Sequence, residues 1–93
     1  MEIVLYHRPY CHLCDVLYQA LEPLAVELAL TVTRIDVDSD PRLEERYGSL
    51  VPVLVADGRE ICRYHLDEAA LRRAVKRAKR STPGSPRAFP GRR

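Results

Sequence analysis

Cys11 and Cys14 stand two residues apart in "HRPYCHLCDVLYQAL", with His12 directly after the first. Such a pair can exchange disulfides, ligate a metal, or simply open a helix with two idle thiols. Exchange requires one accessible thiol with thiolate character and a second within reach of it. A C-x-x-C at a helix start meets both needs. Residues at i and i+3 share a helix face. The unpaired N–H groups and dipole of the first turn favour an anion on Cys11. Cys11 is therefore the candidate nucleophile and Cys14 the candidate resolving thiol. His12, when protonated, adds to the stabilisation of a Cys11 thiolate.

The elements that must hold this pair can be read along the chain. "EIVLYH" is a short apolar run with β-branched and aromatic residues, a strand covered on both faces with Tyr6 in the core. "RPYC" turns the chain. Apolar residues then recur at Leu13, Val16, Leu17, Ala20, Leu21, Leu24 and Leu28, which is helical spacing. Pro23 falls inside that pattern, where a kink or local break is expected before the helix resumes. "LTVTRIDVD" alternates as a second strand, and "SDPRLEERYG" has the cap, proline and terminal glycine of a short helix. "VPVLVA" and "REICRY" flank Asp57-Gly58 as a hairpin around a tight turn. "LDEAALRRAVKRAKR" is a last helix, with Asp67 or a neighbour as its cap and Ala69, Leu71, Ala74, Val75 and Ala78 on its apolar side.

The order is β-α-β-α-β-β-α, an α/β chain. Its first two strands are joined by a helical crossover and should be parallel. A four-stranded mixed sheet with helices on both faces follows. Cys11 then lies at a strand-to-helix junction in a βαβ unit, where a C-x-x-C reads as a redox motif.

At this point the chain resembles a glutaredoxin of the thioredoxin-fold superfamily, and most closely the small bacterial glutaredoxin-like proteins with a "CHLC" site. The resemblance runs from about Glu2 to Ala78. It rests on "LYHRPYCHLC", on "IDVDSDPRLEERYGSLVPVLV", and on the hairpin and helix that follow. It implies a cis Val51–Pro52 bond lying against the cysteine pair, with Val51's backbone pairing with an incoming peptide or glutathione as an added strand. It also implies that Arg8 meets a glutathione carboxylate. Tyr10, directly before Cys11, is a candidate contact residue. Two departures stand out. His12-Leu13 replaces the usual Pro-Tyr between the cysteines, and Arg63-Tyr64 occupies the place of two glycines where backbone approaches glutathione.

Other chemistries compete with this one. A zinc or iron–sulfur site would draw on Cys11 and Cys14 with Cys62, His7, His12 or His65. Structural zinc, however, usually takes two close pairs and the chain offers one. No metal is expected in a monomeric domain, with a metal- or cluster-binding module as the alternative reading. Asp36, Asp38 and Asp40 do not make a calcium loop, since Pro41 and Tyr47 stand where glycine and glutamate would be needed. Cys62 reads as a small apolar residue on the last strand, and His7 and His65 as solvated.

Composition bounds the rest. Of the 93 residues, 46% are hydrophobic, which is ordinary for a globular domain. Residues 1–79 form the expected domain, and residues 80–93 are a basic tail rich in Pro, Gly and Arg. Residues 72–93 hold nine Lys or Arg and no acid, while residues 1–71 hold six basic and thirteen acidic side chains. A basic tail can dock an acidic partner or nucleic acid, giving an adaptor as a further alternative. A solvated extension is the preferred reading, without nucleic acid. No apolar run nears the ~20 residues of a membrane span, and "MEIVLYHRPY" lacks the basic start of a leader. A cytoplasmic thiol–disulfide oxidoreductase is the expectation. It would need no resident cofactor, take a disulfide-bearing protein or glutathione as co-substrate, and be recycled by a separate reductant.

Overall fold

The computed structural model describes residues 1–81, with Ser81 through its backbone alone. Strand β1 (Glu2–His7) leads into helix α1 (His12–Glu27), then β2 (Thr31–Asp36), a 3-10 turn at Val37–Ser39, and α2 (Pro41–Tyr47). The hairpin of β3 (Val53–Ala56) and β4 (Arg59–Arg63) precedes α3 (Glu68–Ser81). The sheet order is β2-β1-β3-β4. Strand β1 runs parallel to β2 and antiparallel to β3, and β3 is antiparallel to β4. The α/β order and mixed four-stranded sheet are those expected. The tail expected from residue 80 lies outside the described residues, apart from Arg80 and Ser81, which close α3.

Strand alternation sets the layers. Ile3 and Leu5 point to one face, where they meet Leu17, Leu21 and Leu24 of α1, Leu54 and Ala56 of β3, and Leu71 and Val75 of α3. Tyr6 points to the opposite face and stacks on Tyr47 of α2, ring centroids 4.3 Å apart. That ring is half-buried between strand and short helix, so Tyr6 belongs to the second layer and not to the main core. Helices therefore cover both faces.

Two details of the helices depart from the periodic reading. In α1 the buried stripe is Cys14, Leu17, Leu21 and Leu24, while Leu13 and Val16 are exposed. These two are one residue off the covered face, at the end where the sheet stops. In α3 the covered residues are Leu71 and Val75, and Ala69 faces solvent. Pro23 does not interrupt α1, which runs as one element to Glu27. A mid-helix proline costs about 3 kcal/mol, and burial of a single leucine contributes about 1.5–3 kcal/mol. With both Leu21 and Leu24 buried around it, packing outweighs the missing hydrogen bond.

The hairpin turn has Asp57 at φ 52° and Gly58 at φ 74°, the paired positive angles of a tight type I′ connection. A register shift opposite Leu54 and Val55 leaves Ile61 as an extra residue in β4, so Ile61 and Cys62 both pack on the core. Asp40 caps α2 through the Arg42 N–H at 2.8 Å, and Asp67 caps α3 through the Ala70 N–H at 3.0 Å.

Candidate active site

Sheet register brings the site together. Tyr6 pairs with Val53, and Val53 with Arg63. The residues after β1, before β3 and after β4 thus converge at one end of the sheet. Arg8, Tyr10, Cys11, Val51, Pro52 and Tyr64 all belong to those segments.

Cys11 is the N-cap of α1 in an extended conformation, φ −101° and ψ 108°, and its Sγ accepts the Cys14 backbone N–H at 3.2 Å. The sulfur thus occupies the place of an N-cap oxygen, where an orphan donor and the positive helix end meet it. Cys11 is partly exposed, whereas Cys14 is only 2% exposed, one turn into the helix. The two sulfurs are joined as a disulfide, with Cα atoms 5.2 Å apart. Cys11 thus keeps some solvent access, and Cys14 has almost none.

His12, the first residue of α1, is exposed. Tyr10 is fully exposed with φ 61°, so the chain enters the helix through a left-handed residue directly before Cys11. The Val51–Pro52 bond is cis and Pro52 is buried. Val51 is half-buried, and its backbone N–H and C=O have no partner among the described residues. Tyr64, at φ 68°, donates its N–H to the Pro52 carbonyl at 2.8 Å, tying the end of β4 to the proline.

Arg8 is the residue whose surroundings sequence reasoning missed. Its Nε donates to Asp38 at 3.1 Å and its Nη2 to Glu44 at 3.0 Å. Desolvation works against its charge, but the hydrogen bonds and fields of Glu44 and Asp38 more than offset that, and its pKa is raised. Gly48 lies under this fork. A Cβ there would come within 2.9 Å of the guanidinium and 2.5 Å of the Glu44 carboxylate. Arg63 is held likewise by Glu60, at 2.6 and 2.8 Å, which draws the Glu60 carboxyl below its usual range. No local pattern marks Asp38 and Glu44 as partners of Arg8, because they lie 30 and 36 residues away.

The remaining candidates lie apart. Cys62 is half-buried on β4, and desolvation pushes its thiol pKa up. Among the described residues no three His, Cys, Asp or Glu side chains converge as a metal would require. No helix among them is long and apolar enough to cross a membrane.

Comparison with known proteins agrees with this geometry. The family model described as Glutaredoxin-like domain (DUF836) matches residues 2–76. An uncharacterised Mycobacterium tuberculosis protein is 34% identical over 90 residues, covering 91% of this chain and 90% of its own. An X-ray structure of an X. campestris protein is 39% identical with a TM-score of 0.62, covering 81% of this chain and 96% of that one. A mutant thioredoxin from Halobacterium salinarum is 30% identical with a TM-score of 0.58, covering 88% of this chain and 77% of that one. The fold is that of thioredoxin.

Proposed function

Because the chain belongs to the Glutaredoxin-like domain (DUF836) family, we propose that it is a thiol–disulfide oxidoreductase working through Cys11 and Cys14. The observation that carries this reading is the asymmetry of the pair. Cys11 is the accessible sulfur, held at a helix N-terminus with a backbone N–H on it, and Cys14 is buried directly behind. The thioredoxin among the similar structures supports the same chemistry.

The Cys11 thiolate attacks one sulfur of a substrate disulfide. A mixed disulfide forms, and the other substrate sulfur leaves as a thiolate and takes up a proton. Cys14 then loses its proton and attacks the Cys11 sulfur. The second substrate thiol is released and the Cys11–Cys14 bond closes. Two electrons pass to the substrate, and an external dithiol or thiol returns them. His12 and the N-terminus of α1 favour the attacking thiolate. Val51 offers the open backbone along which a substrate chain can lie as an added strand.

The test is a pair of variants with a small disulfide as oxidant and intact-mass detection. Cys14→Ser should accumulate a mixed disulfide on Cys11 that persists. Cys11→Ser should lower turnover about 100-fold or more. Turnover that survives in Cys11→Ser would sink the reading.

A further inference from the structure

The cations at this end of the sheet are already bound by the protein's own carboxylates. Arg8 is forked between Asp38 and Glu44, and Arg63 is forked onto Glu60. The group around Arg8 carries one positive and two negative charges, so a substrate carboxylate would enter against a net negative field and would have to displace an internal partner. Gly48 packs beneath the Arg8–Glu44 pair, which fixes the pair on α2. Arg42 is paired with Asp40, and Arg46 lies over the Tyr47 ring at 5.1 Å.

Three exposed side chains on the segments that converge at this end are apolar or aromatic instead. Tyr10, directly before Cys11, is fully exposed, Leu13, directly before Cys14, is 38% exposed, and Tyr64, whose N–H meets the Pro52 carbonyl, is 39% exposed. Tyr10 and Tyr64 both sit at positive φ, an unfavourable conformation for a residue with a Cβ, on segments at the same end of the sheet. The backbone of Val51, in the segment before β3 at that end, has no partner among the described residues.

Resting on the oxidoreductase reading, we infer that the substrate is a polypeptide disulfide whose flanking residues are neutral or apolar, and that glutathione is disfavoured. The polypeptide backbone pairs with Val51, and its side chains lie against Tyr10, Leu13 and Tyr64. Glutathione carries two carboxylates and one ammonium group, and finds neither arginine open to it. Arg8 is accordingly a positioning residue that ties the loop before Cys11 to α2, and it does not contact the substrate. The exchange step is the one given above, with the polypeptide disulfide as the electron acceptor.

The reduced full chain is mixed at pH 8 with one of three oxidants: glutathione disulfide, the disulfide dimer of acetyl-Leu-Cys-Tyr-amide, or that of acetyl-Glu-Cys-Glu-amide. Oxidation of Cys11 is followed by acid quench and mass, and each rate is divided by that of the same disulfide with dithiothreitol. The neutral dimer should react about tenfold or more faster than glutathione disulfide, and the acidic dimer should fall with glutathione disulfide. The pair Asp38→Asn and Glu44→Gln, whose amide oxygens can still accept from Arg8, should raise the rates of the two acidic oxidants several-fold relative to that of the neutral dimer. Equal normalised rates, or glutathione disulfide as the fastest, would overturn the inference and leave the oxidoreductase intact. Failure of all three to oxidise Cys11 while dithiothreitol is consumed would overturn both.

Discussion

The three cysteines share a side chain but not a chemistry, because each meets a different backbone. Cys11 accepts an N–H at a helix start, Cys14 is shut behind it, and Cys62 is half-buried against the core. Desolvation raises the Cys62 pKa, so at neutral pH that thiol keeps its proton and is a poor nucleophile. A brief iodoacetamide pulse on the reduced protein at pH 7 should label Cys11 well ahead of Cys62, as read by peptide mass. The same shift has a stability consequence. The folded state holds the Cys62 proton at pH values where the unfolded thiol, with a pKa of about 8.5, has released it. That contribution is present below the unfolded pKa and is lost as pH rises through the folded one. Between pH 7 and pH 10 the melting temperature of the wild type should therefore fall further than that of Cys62→Ala. Spacing alone exposed the Cys11–Cys14 pair, since i and i+3 is a local relation. The Arg8 fork was hidden because its partners arrive through tertiary folding, and the left-handed angles of Tyr10 and Tyr64 leave no mark in residue type.

At the scale of elements, what was legible is what is local. The Asp57-Gly58 turn, the Asp67 cap and the order of elements along the chain follow from short stretches of sequence and recur in the structure. Periodicity counts Leu13 and Val16 among the apolar residues of α1 without knowing which side is covered, and the covered side runs through Cys14 and Leu17 instead. Pro23 lies inside α1 without ending it because Leu21 and Leu24 on either side are buried, which residue type does not show. Its local cost should still be recoverable. Pro23→Ala restores an N–H to the helix and should stabilise the protein by about 1–3 kcal/mol in urea unfolding, and no gain would mean that the ring is compensated elsewhere. Gly58 works in the other direction. At φ 74° with open space around its Cα, it is held by conformation and not by contact. Gly58→Ala should destabilise by about 1–2 kcal/mol while leaving the exchange rate unchanged.

Across the whole molecule, an acidic body meets a basic last helix through specific pairs. Arg72 of α3 binds Glu27 at the end of α1, at 2.8 and 3.1 Å, and Glu68 within its own helix at 3.0 Å. These bonds draw the Glu27 carboxyl below its usual range and tie α3 to the end of α1. The core is closed by Leu71 and Val75, so every buried member of the main cluster precedes residue 76, where the family match also ends. The active-site residues lie earlier still, before residue 65. Residues 82–93 contribute three arginines and no acid, and their removal takes the net charge from +2 to −1. Surface charge is screened over about 8–10 Å in ordinary buffer. A chain ending at Ser81 should consequently melt within a few degrees of the full chain and oxidise Cys11 at a similar rate with a neutral disulfide, by the quench assay above. A large fall in melting temperature would show that the segment packs on the fold. A fall in rate at unchanged stability would show that it reaches the substrate.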